Sequence, residues 1–324
     1  MKDRGISPTQ GAILMVAIVL ILSVSTWYLL QGLIDFERPA PNVGFAAEQN
    51  DIPPGTKITH VFGDDLESSN VEIKGGVMLT DTGNEWTAGE NTTIYPTQDE
   101  ILIIWNNGVD SAILYKQDAL LPPITYEIDK SGSVDSGDFD DEENILEGGA
   151  RSRNGNLVTP TDQILYSRVN ASGNVKIEEN NTVYRGAVSQ NGEVNVQPDS
   201  KLYGRVSAAG DVGTNNNVTV RGVVVARSDS GDDPNVNIGQ DNEITGYVRG
   251  AGNDSDIDIG SGTTIDGNVS SSGQIDINSG IVITDGVEAD KVTIDSDVRI
   301  TGGVDTDNLS CGSNVTIDGE PCTA

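Results

Sequence analysis

The chain has 324 residues, of which 50 are acidic and 19 basic, so its formal net charge is −31. A charge of this size excludes binding to nucleic acid or anionic lipid through a basic patch. Only two cysteines occur, Cys311 and Cys322, which excludes a disulfide-rich scaffold and a four-cysteine metal site. Repulsion among these charges destabilises the compact state in dilute buffer, but molar salt shortens the screening length to about 3 Å. The acidity is therefore typical of a protein that works in brine. An acidic surface in ordinary medium is the alternative.

The chain begins with an apolar segment that is long enough to cross a membrane. Residues 11–34 carry no formal charge over 24 positions, and a helix of that length spans about 36 Å. Ahead of this run, Ser7 has the character of an N-cap, Pro8 of a first-turn proline and Gln10 of a capping-box partner. We therefore predict a transmembrane or pilin-type hydrophobic helix over residues 6–34.

Charges on either side of this segment predict its orientation. Lys2 and Arg4 precede it and Asp35 and Glu37 follow it, so the positive-inside rule keeps the N-terminus in the cytoplasm and exports the bulk of the chain. The apolar run does not end in the small-residue site of a secretory signal peptide. We expect the segment to stay with the protein, and an uncleaved single-pass anchor is one interpretation of it.

The stretch "DRGISPTQGAILMVAIVLIL" (3–22) resembles the class III leader of archaeal type IV pilins. The resemblance implies that a prepilin peptidase cuts between Gly5 and Ile6, removing the leader 1–5 and leaving the helix in place. It also implies that such helices leave the membrane and bundle with other pilin subunits at the centre of a filament. Gln10 stands at the fifth mature position, where many bacterial pilins carry a glutamate.

Residues 41–123 consist of short alternating or apolar runs separated by Gly, Asp and Asn. This pattern predicts a small antiparallel β-domain. The resemblance continues here through "ITHVFGDDL" (58–66), "VEIKGG" (71–76), "WTAGE" (86–90) and "ILIIWNNGVDSAILY" (101–115), which are similar to strands of the pilin-type domain of halophilic archaea. The similar region covers residues 1–122.

Residues 124–156 are acidic and rich in Gly and Ser. Such a composition buries little apolar surface, so we predict a flexible acidic linker. Its carboxylates offer hard oxygen ligands for calcium but lack the spaced order of a preformed loop, which favours a solvated segment. These carboxylates are Asp138, Asp140, Asp141, Glu142 and Glu143.

An internal repeat fills residues 157–324. Each unit has an apolar-x-apolar pair, a polar turn, a further apolar residue, a glycine and another apolar residue. The glycines are spaced by 18, 18, 24, 21, 19, 17 and 16 residues, at Gly186, Gly204, Gly222, Gly246, Gly267, Gly286, Gly303 and Gly319. Periods near 18 are typical of a parallel β-helix (β-solenoid), here of about eight coils.

Alternation along each strand predicts which side chains face the solenoid core. Val175 and Ile177 should point inward and Lys176 outward, with Val194 and Val196 as their equivalents in the next coil.

Over residues 171–319 the coils resemble bactofilins, which are polymer-forming β-helical proteins of the cytosol, so this resemblance concerns the fold. The overall fold class is therefore mainly β.

The last unit ends in "CGSNVTIDGEPC" (311–322). An open solenoid end exposes unpaired strand edges. A disulfide between Cys311 and Cys322 would close that end and contribute about 2 to 3 kcal/mol for so short a loop. Two free thiols are the alternative.

The sequence contains few candidate catalytic residues. His60 is the only histidine and has no accompanying Ser or Cys motif, so we interpret it as structural. Outward aspartates such as Asp256, Asp258 and Asp276 recur on the solenoid, as in carbohydrate-cleaving β-helix enzymes, but the turns are short and basic neighbours are few. We therefore predict a solvated acidic face, no enzyme, no cofactor and no metal site.

Eight N-x-Ser/Thr sequons occur, against about four expected by chance from the composition. Some glycosylation is therefore expected. The candidate asparagines are Asn91, Asn170, Asn180, Asn217, Asn253, Asn268, Asn308 and Asn314.

Together these features predict an exported type IV pilin-like protein of the cell membrane and cell surface. Its helix would anchor the chain and assemble with other subunits, while the solenoid is displayed outward. Because the rod is bulky for a repeating shaft subunit, a minor, tip or adhesive role is favoured, with surface glycans as a further partner. A membrane-anchored surface protein that does not polymerise is the alternative, and an extracellular polysaccharide-acting enzyme is the least favoured.

Overall fold

A computed structural model describes residues 40–51, 53–80, 82–96, 100–108, 110–120, 123–139, 144–228 and 233–322. The predicted leader 1–5 and helix 6–34 lie outside these residues. No helix in the described part of the chain is long and apolar enough to cross a membrane. The described chain forms an antiparallel β-domain followed by a parallel β-solenoid.

The β-domain contains small antiparallel sheets, as predicted. One sheet has the order β1-β2-β7-β5, a second has β4-β8-β9, and β3 pairs with β6; a 3₁₀ turn at Ser68–Asn70 precedes β4. The strands are β1 (Val43–Asn50), β2 (Gly55–Gly63), β3 (Leu66–Glu67), β4 (Val71–Lys74), β5 (Gly76–Met78), β6 (Glu85–Trp86), β7 (Asn91–Pro96), β8 (Glu100–Asn106) and β9 (Ser111–Asp118).

Alternation places one side of these strands in a common core. Along β8, Ile101 and Ile103 are fully buried and Trp105 is nearly so, while the residues between them are partly exposed. Trp86 and Leu66, paired across β3 and β6, close the same core. This core therefore mixes large aromatic and aliphatic side chains.

The solenoid has three faces, each a parallel sheet. The first face contains Tyr126–Lys130, Gly149–Ser152, Val169–Ala171, Ala187–Ser189, Val206–Ala208, Val224–Arg227, Val248–Ala251, Val269–Ser270, Val287–Glu288 and Val304–Asp305. The second face contains Leu157–Val158, Val175–Ile177, Val194–Val196, Val212–Thr214, Val236–Ile238, Ile257–Ile259, Gln274–Ile277, Lys291–Ile294 and Asn308–Cys311. The third face contains Ile145–Leu146, Ile164–Leu165, Thr182–Tyr184, Lys201–Tyr203, Thr219–Arg221, Glu243–Thr245, Thr264–Asp266, Val282–Ile283, Arg299–Ile300, Thr316–Ile317 and the antiparallel Glu320–Pro321.

The predicted strand register is confirmed. Val175 and Ile177 are buried and pair with Val194 and Val196 of the next coil, while Lys176 is exposed. Equivalent side chains therefore stack in columns of Val, Ile, Leu and Ala along the rod axis. With about 4.8 Å per coil, ten coils make a rod of about 48 Å.

The prediction of a flexible linker over 124–156 is wrong for the described part of that range. Tyr126–Lys130 pairs in parallel with Gly149–Ser152, and Val134 bridges to Leu157. Val134 and Phe139 are buried in the solenoid core. A few well-spaced apolar side chains are sufficient to order this acidic segment, because the acidic residues point outward.

The solenoid is consequently longer than predicted. It begins at Tyr126 rather than at residue 157, and its faces contain 10, 9 and 11 strands instead of eight coils. Gly149 occupies the register position of Gly186, but no glycine precedes Ile128 or Val169 at the equivalent position. The 3₁₀ turn at Ser136–Asp138 also interrupts the first coil, so a regular sequence period does not reveal these coils. Asp140, Asp141, Glu142 and Glu143 lie outside the described residues.

Candidate functional site

The chain itself covers part of each end of the solenoid. At the first coil, Phe139 and Val134 fill the end of the core beside the 3₁₀ turn at Ser136–Asp138. At the last coil, Glu320–Pro321 folds back antiparallel on Thr316–Ile317, so the third face ends in a hairpin. The hairpin occupies the edge of the third face on which a further coil would stack.

The predicted disulfide is present. Cys311 and Cys322 are bonded across a sequence separation of 11, and both pack against the end of the solenoid core. Because Cys322 follows the hairpin strand and Cys311 ends the last second-face strand, the bond ties the terminal hairpin to the second face. The alternative of two free thiols is wrong.

A tyrosine cluster joins the β-domain to the side of the rod. Tyr184 and Tyr203 occupy equivalent positions in adjacent coils of the third face and stack in parallel, with ring centroids 4.9 Å apart. Tyr166 extends this stack, at 5.3 Å from Tyr184. Tyr95, at the end of β7, contacts both Tyr184 and Tyr203, at 6.1 and 5.6 Å. We call Tyr95, Tyr166, Tyr184 and Tyr203 the tyrosine junction.

Backbone geometry at the corner of the rod makes room for this contact. Gly204 has a φ of +102°, and a Cβ atom there would lie 3.1 Å from the Tyr95 hydroxyl oxygen. Gly186 has a φ of +76°, and its Cβ would approach the Arg205 carbonyl oxygen to 2.0 Å. Both positions need glycine, because other residues would combine an unfavourable φ with a steric clash.

The junction is largely desolvated. Burial raises the pKa of Tyr184 strongly, with smaller contributions from Tyr203 and Tyr166, and burial also raises the pKa of Tyr95 and of Tyr203. Burial lowers the pKa of the half-buried Arg185 beside Tyr95. Tyr95, Tyr184 and Tyr203 therefore remain neutral to high pH and act as packing groups.

Sequence reasoning missed the tyrosine junction, although a signal for part of it exists. Tyr166, Tyr184 and Tyr203 recur at intervals of 18 and 19 residues, which is the coil period itself. Such spacing places them in one column. The partner, Tyr95, lies in a region without repeats and has no comparable signal.

The remaining predicted site residues are held by structural contacts. His60 is fully buried, with Nδ1 3.1 Å from the Trp86 carbonyl oxygen and Nε2 3.1 Å from that of Phe62. Asp138 forms an ion pair with Lys130, and this contact, with the backbone amide of Asp135, lowers the pKa of its carboxyl. Among the described residues no three potential ligands lie close enough together to hold a metal ion.

Three of the eight sequon asparagines occupy the same corner of the rod. Asn180, Asn217 and Asn314 lie between the second and third faces with φ values of 58°, 57° and 59°. From Asp162 onward this corner column continues with Asp, Asn or Gly at positive φ, at Asp162, Asn180, Asp199, Asn217, Asp241, Gly262, Gly280, Asp297 and Asn314. Asn and Asp are enriched in this conformation, and Gly adopts it freely.

Asparagine amides and aspartate carboxylates form hydrogen-bonded pairs along this corner column. The Nδ2 atoms of Asn180, Asn217 and Asn314 donate to the Oδ1 atoms of Asp162, Asp199 and Asp297 in the preceding coil, at 2.6, 2.5 and 2.6 Å. The same asparagines are exposed. Their sequons therefore arise at a position where the turn itself favours Asn or Asp, which accounts for much of the sequon excess.

The other sequon asparagines share no common site. Asn170 lies on the first face, where its Nδ2 contacts the Tyr126 hydroxyl at 3.3 Å and its Oδ1 is buried without a partner. The other four are exposed and lie on different elements: Asn91, Asn253, Asn268 and Asn308. The expectation of glycosylation remains a prediction.

Charge is distributed unevenly along the rod. Residues 151–249 contain 10 of the 19 basic residues and 11 acidic ones, so this stretch is nearly neutral. Residues 250–322 contain 14 acidic and only 2 basic residues. The tyrosine junction thus lies against the neutral coils, and the distal coils are strongly acidic.

Comparisons with known proteins provide no family assignment. A scan against protein-family models finds no match, and a search of curated proteins finds no significantly similar sequence.

Proposed function

We propose that this protein is an exported type IV pilin-like surface subunit that holds a β-solenoid away from the cell. The observation that carries the proposal is the N-terminal pattern of a short charged stretch, Gly5, Ser7-Pro8 and a 24-residue uncharged run. A helix of this kind buries its apolar surface either in lipid or against copies of itself.

The architecture supports separate roles for the N-terminal segment and the solenoid. The described chain begins at Ala40 and leads directly into β1, so the apolar segment joins the molecule at the β-domain. The tyrosine junction attaches that domain to the side of the rod, and the terminal hairpin covers the last edge of the third face. We expect assembly to use the N-terminal segment, which leaves the distal coils available for display as a minor, tip or adhesive subunit.

N-terminal sequencing of native protein tests the proposal. The mature chain should begin at Ile6, and Gly5→Val should abolish cleavage, because the resemblance places the scissile bond after Gly5. Gly11→Val serves as a matched control, which should still be cleaved. Sheared filaments should contain the wild-type chain but not the uncleaved variant.

Three results would count against the proposal. An intact Met1 on native protein would favour the membrane-anchored alternative that does not polymerise. A start beyond Ile34, with the protein free in the medium, would exclude both. Cleaved protein that is absent from every filament preparation would exclude assembly.

A further inference from the structure

A polar groove of about 810 Å³ lies on the distal coils. Its floor is the outward column of the first face, in which Arg249, Ser270, Glu288 and Asp305 are register partners in successive coils. With about 4.8 Å per coil, this column extends for about 14 Å. We call this surface the distal groove.

A rigid loop forms one wall of the distal groove. The chain turns at residues 251–256, where the Gly252 amide donates to Ser255 Oγ at 2.6 Å and the Gly252 carbonyl accepts from Ser272 Oγ at 2.6 Å. The amides of Asn253 and Asp254 both donate to Asp233 Oδ1, at 2.9 and 3.0 Å. The wall is held by these contacts before any ligand binds, which lowers the entropy cost of binding.

The groove lining excludes several ligand classes. Alanine is the largest apolar residue in it, which excludes lipid and aromatic ligands. Four carboxylates against the single guanidinium of Arg249 disfavour phosphate, sulfate and other anions. The carboxylates are spread along the groove, and no described group of three can hold a metal ion.

The groups that remain suit a ligand rich in hydroxyls. Arg249 and Ser270 offer donors, because the hydroxyls of Ser271 and Ser272 already donate to backbone carbonyl oxygens. Glu288 and Asp305, one coil apart, offer acceptors together with Asp290. Arg249 forms no ion pair among the described residues. A sugar hydroxyl both donates and accepts, so a saccharide chain lying along the column can satisfy both kinds of group.

We propose that the distal groove binds an uncharged, extended saccharide chain. The inference rests on the proposed function as an adhesive subunit, and it specifies the class of ligand that the displayed solenoid binds. Because the groove has no aromatic platform, each site should bind weakly. Many copies on one surface or filament would raise the effective affinity through multivalency.

The test uses the full-length protein in detergent and a panel of uncharged oligosaccharides: pentasaccharides of glucose (α- and β-linked), mannose and N-acetylglucosamine. At least one should bind by saturation-transfer NMR and calorimetry. Arg249→Ala and Glu288→Gln should each weaken it about tenfold, because each removes a charged hydrogen-bonding partner. Asp258→Asn, an exposed acid on the second face, is the matched control and should bind normally.

Other outcomes overturn the proposal. These are no binding by any member of the panel, binding unchanged in both variants, or preferential binding of a sulfated oligosaccharide or a lysine peptide. All three substituted residues are exposed, and equal melting temperatures confirm folding. N-terminal processing and filament content do not depend on the groove, so failure here leaves the pilin proposal separately testable.

Discussion

The β-domain and the solenoid are both made of short strands, yet they bury apolar surface in different ways. The β-domain encloses Trp86, Trp105 and isoleucines from antiparallel sheets, each in a unique environment. The solenoid repeats small aliphatic columns, such as Val175 on Val194, coil after coil. Stability should therefore be all-or-none in the β-domain and a sum of neighbouring coil contacts in the rod.

The largest expected effect comes from opening a cavity in the rod. Leu202→Ala should lower the free energy of unfolding by about 2 to 5 kcal/mol, because Leu202 is fully buried. Hydrogen exchange should show the loss in the coils around residue 202 and little change in β8. Lys201→Ala, on the same strand but exposed, should stay close to wild type. Equal loosening of both regions would show that they unfold as one unit.

Removing the terminal disulfide should have the next largest effect. The double variant Cys311→Ser/Cys322→Ser should lose about 2 to 3 kcal/mol, from the closure entropy of a short loop. The loss should appear in thermal melts and as faster proteolysis of the last coils. A melt unchanged by reducing agent would contradict a stabilising role for the bond.

Tyr95→Ala tests whether the two regions form one rigid body. Removing this ring from contact with Tyr184 and Tyr203 should cost about 0.5 to 1.5 kcal/mol per aromatic pair, beyond the lost burial. Small-angle scattering should then show a broader range of shapes, with both regions still folded. Tyr247→Ala, an exposed tyrosine of a later coil, is the control. An unchanged scattering profile would mean that other contacts hold the junction.

The smallest expected effect is a loss of order in the first coils at acid pH. Arg153 lowers the pKa of Asp129, and Lys130 lowers that of Asp138, by hydrogen bonding to each carboxylate. A lowered folded-state pKa gives stability above the unfolded pKa of about 4, which is lost as the pH falls through the folded value. Asp129→Asn and Asp138→Asn should flatten this dependence in melts below pH 5. Asp129 is exposed and Asp138 is partly exposed at the surface, so the change should be small.

The sequence predicted the rod better than its boundaries. A regular period exposes the inward columns, so the register of Val175 and Ile177 is confirmed. The first coils were not predicted, because irregular turns separate their buried side chains Val134, Phe139 and Leu146. The acidic composition of this segment predicted a solvated linker instead. The tyrosine junction was not predicted, because Tyr95 and Tyr184 are distant in the sequence and come into contact only in the folded protein. The distal groove depends on turn lengths in successive coils, which no single motif encodes.

The pairing of acid and amide along the corner column has a consequence for how such a rod lengthens. Asp162, Asn180, Asp199 and Asn217 follow one another, so the chemically complete unit in these coils is two coils. Duplicating an Asp coil would bring two carboxylates face to face, whereas duplicating an Asn coil would bring together two amides, which can hydrogen-bond to each other. Coils added to this part of the rod should therefore carry Asn or Gly, rather than Asp, beside an existing Asp.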